Sequence, residues 1–98
     1  MVTANRLLET YQFEIEDLDE PEDLCSQALI VLSTRDSLAQ LPLTEQEQQA
    51  LSRLDAELIK RWETLAECLP FPSEHDRKHW WWFLDEGPQV REEALQTA

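Results

Sequence analysis

The sequence predicts an all-α fold: a small bundle of three main helices followed by a short, aromatic-rich C-terminal helix. Three observations carry this expectation. Leucines and other apolar residues recur at three- and four-residue steps, the spacing of one helical face. Pro21, Pro42, Pro70 and Pro72 divide that pattern into segments of helical length. Thr44 and Glu47 form a capping box immediately before the clearest of them.

In the first segment Leu7, Leu8, Tyr11, Ile15 and Leu18 fit a helical face. Tyr11, Phe13 and Ile15 also alternate with Gln12, Glu14 and Glu16, which is a strand pattern. Helix is the favoured reading. The runner-up is an α+β fold with a small hairpin made from residues 11–15 and 29–33. The second segment opens at Pro21 among Asp19, Glu20, Glu22 and Asp23; proline and acids both suit the positive end of a helix. Leu24, Ala28, Val31 and Leu38 form its stripe, widened by Cys25, Leu29 and Leu32, and the helix is expected to run to about Gln40. Residues 28–32 are apolar on every side, which predicts that part of this helix is enclosed.

The third segment carries Leu51, Leu54, Leu58, Trp62, Leu65 and Leu69 on one face, and one helix over 45–69 is expected. Its other face holds Arg53, Glu57, Lys60, Glu63 and Glu67, with Glu57 and Arg61 spaced as an ion pair. In the fourth segment Ser73 and Asp76 resemble a helix start, Trp80, Trp81, Trp82, Phe83 and Leu84 follow, and Gly87-Pro88 is a stop. Residues 1–88 read as a single domain. Residues 89–98, with only Val90 and Leu95 as large apolar groups, read as a frayed or disordered tail.

The chain has 98 residues and a formal net charge of −13, from 21 acids against 8 Lys and Arg. That balance disfavours nucleic acid and anionic membrane surfaces. It favours a protein partner with a basic surface. Gly87 is the only glycine, so a glycine-rich phosphate loop cannot be built. No signal-peptide pattern opens the sequence, since Arg6 precedes Leu7-Leu8 and Glu9 follows. A cytoplasmic chain with Cys25 and Cys68 reduced is the simplest expectation, one disulfide being the alternative.

Chemistry finds few parts. His75 and His79 share a helical face, and with Cys25 or Cys68 they define a weak metal-binding alternative. Neither cysteine belongs to a CxxC pair, and the serines lie in no nucleophile elbow. No catalytic residue, cofactor or metal ligand is therefore assigned, and an enzyme is not expected.

The aromatic run is the most informative feature. Successive residues on an α-helix point about 100° apart, so Trp80, Trp81 and Trp82 are not expected to share one core, and some indole surface should be left for another molecule. The leading expectation is a non-catalytic interaction or regulatory module. It docks through Arg77, Trp80, Trp81, Trp82 and Phe83, while an acidic strip of Glu16, Asp17, Asp19, Glu20, Glu22 and Asp23 steers a basic partner. Such a surface is also compatible with a homo-oligomer. An alternative function is an acidic mimic of nucleic-acid charge that inhibits a DNA- or RNA-binding protein.

Overall fold

Thr3 opens the first helix, its hydroxyl oxygen accepting the Arg6 amide at 3.2 Å. Helix α1 spans Ala4–Asp17 and buries Leu8, Tyr11 and Ile15. The computed structural model describes residues 3–71 and 74–96, and among these there are helices and no strands. The hairpin alternative is thereby corrected. The helically spaced set goes inward, whereas Phe13 of the alternating set points to solvent.

Helix α2 (Leu24–Ala39) folds back on α1 and buries Ala28, Val31, Leu32, Arg35 and Leu38. Leu29 and Ile30 remain exposed, so the apolar run is not enclosed as expected: only one side of α2 meets the core there. Helix α3 (Glu45–Lys60) starts with the full capping box: the Glu47 amide donates to Thr44 Oγ1 at 3.2 Å and the Thr44 amide donates to Glu47 Oε1 at 2.8 Å. It runs parallel to α1, as Tyr11 with Asp55 and Asp19 with Arg61 show.

The single helix expected over 45–69 is broken at Arg61 (φ −103°, ψ 20°), and a short helix α4 (Trp62–Ala66) follows. The cause is local. The Arg61 amide bonds three residues back to the Leu58 carbonyl, while its guanidinium Nη1 donates to the Glu57 carbonyl at 2.8 Å. A side chain has replaced the helical donor at that carbonyl, which is a recognised cause of kinks. The same guanidinium forks onto Asp19 with two 2.8 Å bonds, so the kink also anchors the α1–α2 connector.

The helix start expected at Ser73 lies outside the described residues, as does Pro72; residues 74–79 are not helical. Helix resumes as a 3-10 helix over Trp80–Glu86, with a kink at Phe83 (φ −119°, ψ 22°). Gly87 ends it with φ +117°, a conformation that favours glycine. The segment read as a frayed helix or tail carries a last helix. Val90–Gln96 form helix α5, Val90 is buried, and Arg91 Nη2 donates to Ser52 Oγ at 2.6 Å. Cys25 and Cys68 are joined by a disulfide that ties the first turn of α2 to the segment after α4, in place of the expected free thiols. No helix among the described residues is long and apolar enough to cross a membrane.

At the centre lies a polar triad. Asp55 on α3 accepts from the Tyr11 hydroxyl of α1 at 2.7 Å. It also accepts from Arg35 Nε and Nη2 of α2 at 2.8 and 3.1 Å. Arg35 and Asp55 are the charged residues in the buried set. Burial, together with the neighbouring Asp55 carboxylate, raises the Tyr11 hydroxyl well above the ordinary phenol pKa of 10.0.

Removing one partner of a buried pair leaves the other uncompensated. Asp55→Ala is expected to cost about 3–5 kcal/mol in urea unfolding. Tyr11→Phe, which keeps the ion pair, should cost about 1 kcal/mol. The raised phenol also fixes an alkaline limit. Its stabilising contribution is complete below pH 10.0 and is lost as pH climbs toward the folded-state value, because the unfolded chain releases this proton first. Tyr11 is the only tyrosine, so ultraviolet difference absorbance should show tyrosinate appearing together with unfolding and not before it.

Candidate functional site

All three tryptophans of the aromatic run are buried: Trp80 is 5 %, Trp81 2 % and Trp82 5 % exposed. The expected exposed indole surface is therefore corrected. A helix packed against a core on one side only would leave a ring outside. The 3-10 helix instead packs against α4, α5 and α2, so each ring direction meets a neighbour.

Asp36 of α2 makes this burial tolerable. Its Oδ1 accepts the indole N–H of both Trp81 and Trp82, each at 2.8 Å. His79 Nδ1 stands 3.8 Å from the same oxygen. The rings are packed further by aromatic contacts. His75 stacks on Trp82 with centroids 3.9 Å apart, Phe71 meets Trp82 edge-on at 6.0 Å, and His79 stacks on Trp81 at 4.8 Å. The Arg35 guanidinium lies 4.1 Å above the Trp81 ring, a favourable cation–π position.

Phe83 is half-buried. Arg77, expected to contact a partner, lies 4.4 Å over the Phe83 ring and forks onto Glu86 at 2.6 and 2.9 Å. Its charge is already matched within the fold, and the pairing lowers the Glu86 carboxyl pKa. The acidic strip is divided in the same way. Asp19 is held by Arg61, which depresses its pKa. Asp23 precedes α2 without capping it through its side chain, and it accepts from the Ser26 hydroxyl at 2.8 Å. Glu16 accepts from Gln12 at 3.4 Å and is exposed, as are Asp17, Glu20 and Glu22.

The strip and the aromatic cluster do not come together. Asp23 begins α2 and Asp36 lies near its other end, about 20 Å along the axis at the helical rise. The aromatic run and Arg77 are used in folding; the exposed acids of the strip remain on the surface.

The metal alternative does not assemble either. Among the described residues no three His, Cys, Asp or Glu side chains gather around a common point. Both cysteines are in the disulfide, and the two imidazoles lie flat on indoles. Asp36 and His79 resemble the orienting half of a hydrolytic triad. Their shared oxygen already serves two indoles, however, and no hydroxyl is hydrogen-bonded to His79 among the described residues.

Asp36, Arg35, Asp55 and Phe13 are not among the site residues expected from sequence. Signals for the buried ones were present. Arg35 and Asp55 interrupt the apolar stripes of their helices, and adjacent buried indoles require an acceptor. Phe13 is the reverse case, 67 % exposed on the outer face of α1. No protein-family model, curated protein or solved structure matches this chain.

Asp36→Ala removes the acceptor of two indole N–H groups and is expected to cost about 2–3 kcal/mol. Asp36→Asn keeps an acceptor oxygen and should cost clearly less. Urea unfolding followed by indole emission measures both; equal stability of the alanine variant and the wild type would contradict this role.

Proposed function

We propose that this chain is a non-catalytic protein-interaction module that docks a basic partner through the outer face of α1. The observation that carries the reading is Phe13, 67 % exposed in the middle of a well-formed helix. Glu9, Glu16 and Asp17 lie four, three and four residues from it, which places them around it on the same helical face. An apolar anchor ringed by carboxylates suits a partner with an apolar pocket and a basic rim.

The surroundings of Phe13 support the same surface. Glu9 also lines a cleft of about 450 Å³ between α1 and α3, formed with Leu8, Gln12, Ala50, Arg53 and Leu54. Exposed Glu20 and Glu22 extend the acidic character into the connector. Long-range attraction from such a surface raises the association rate and weakens with salt.

Mimicry of nucleic-acid charge draws less support. It needs a continuous row of carboxylates spaced like phosphates, whereas Asp19, Asp36, Asp55 and Glu86 are held by groups of the fold itself. The Cys25–Cys68 crosslink supports work in an oxidising compartment in place of the cytoplasmic setting expected from sequence, because cytosolic thiols are kept reduced.

Phe13→Ser and the pair Glu16→Lys with Asp17→Lys test the reading by chemical crosslinking in source extract and mass spectrometry. The expected result is a basic protein recovered with wild type and lost with either variant, with slower association at raised salt. Stability should change by about 0.5 kcal/mol or less, because Phe13 is exposed. Recovery of the same proteins by wild type and both variants would overturn the proposal.

A further inference from the structure

A second surface has the opposite electrostatic character. A cleft of about 390 Å³ opens between α2, the start of α3, the 3-10 helix and α5. Its apolar walls are Leu38, Leu41, Leu43, Leu51, Trp80 and Leu95. Its polar groups include Arg35, Lys78 and His79, and none of the lining residues is an acid. In a chain with 21 acids against 8 Lys and Arg, a cleft without a carboxylate in its lining stands apart from the overall charge.

The three basic groups are not equivalent. Arg35 spends Nε and Nη2 on Asp55, so that pair contributes little net charge. His79 faces Asp36 at 3.8 Å on its indole side. Lys78 is exposed, and its backbone amide is fixed by Asp76 Oδ1 at 2.9 Å. Among the described residues its ammonium has no ion-pair partner. The uncompensated cation of the cleft is therefore Lys78 at the rim. Leu95 of α5 adds to the apolar wall while remaining 68 % exposed.

From these observations we infer that the cleft binds a small apolar carboxylate, its hydrocarbon body on the leucine and tryptophan walls and its head group on Lys78. The volume lies within the range of about 300–1,000 Å³ common for small-molecule sites, which pair apolar walls with a few polar groups. A neutral apolar ligand would leave Lys78 without a role. A cationic one would meet it directly. A carboxylate gains burial of its apolar body and an ion pair at a rim where its charge stays partly hydrated. This site is separate from the α1 surface, and neither proposal depends on the other.

The probe is sodium dodecanoate, titrated below micelle formation into the full chain and followed by calorimetry and indole emission. Dodecanol and dodecyltrimethylammonium serve as the neutral and cationic counterparts. Dodecanoate is expected to bind and change the emission, with the cationic surfactant weakest. Lys78→Glu should weaken dodecanoate by about fivefold or more. Leu95→Glu, at an exposed position, should weaken it without unfolding the chain. Lys60→Glu, which lies outside the cleft lining, is the charge control and should leave binding unchanged. Absence of dodecanoate binding overturns the proposal. So does equal affinity for all three probes, or a Lys60→Glu effect as large as that of Lys78→Glu.

Discussion

The fold depends on one buried carboxylate. Asp55 is the point at which α1, α2 and α3 meet, accepting from Tyr11 and from Arg35 while belonging to α3 itself. A dry carboxylate is costly unless paired and hydrogen-bonded, and here its oxygens share three donors from two other helices. An exchange of such a pair for leucines is often neutral in free energy, so its contribution lies more in register than in net stability. If α1 slid past α3 by one turn, Tyr11 would lose Asp55, and Asp19 would lose Arg61 in the same movement. The two contacts, at different levels of the α1–α3 seam, are satisfied together in one alignment.

The effect reaches the C-terminal half through Arg35. One edge of its guanidinium is committed to Asp55, and its face lies over Trp81. Asp36, the next residue on α2, holds the indole N–H groups of Trp81 and Trp82. Two adjacent side chains of α2 thus connect the three-helix layer to the 3-10 helix. The disulfide closes the other end of the same helix against the segment after α4. Helix α2 is consequently fixed at both ends, by covalent attachment at Cys25 and by hydrogen bonds at Asp36. Exposed Leu29 and Ile30 lie between those anchors, on turns that need no further contact to stay in place.

The helical class and the capping box of α3 were legible because they follow from spacing and from local hydrogen bonding. The kink at Arg61 was not, because it arises when one guanidinium bonds both the Glu57 carbonyl of its own helix and Asp19, 42 residues away in sequence. The packing of helix α5 was not legible for a related reason. Val90 and Leu95 make a poor apolar stripe, and what orders the segment is Val90 in the core and Arg91 on Ser52. The burial of the aromatic run was not legible, because helical spacing alone does not show how many neighbours surround a short helix. A buried indole does need an acceptor, but a sequence does not reveal that one aspartate on another helix can serve two of them. Disulfide pairing likewise depends on which helix ends the fold brings together, and two isolated cysteines give no spacing rule.

These contacts decide which surface is left for function. Arg77 and Asp19 are held in ion pairs, Asp23 accepts from Ser26, Asp36 holds two indole N–H groups, and the three adjacent tryptophans are buried. The core gains nothing from Phe13, since the stripe of Leu8, Tyr11 and Ile15 already fills the inward side of α1. An alanine or glutamine there would serve the helix better on propensity alone. The ring is 67 % exposed, with carboxylates about one turn away on either side. The cleft at Lys78 presents the complementary case, an apolar hollow with a cation at its edge. The α1 face carries carboxylates around an apolar ring, and the cleft carries a lysine beside apolar walls, so the two proposed surfaces differ in the charge they present.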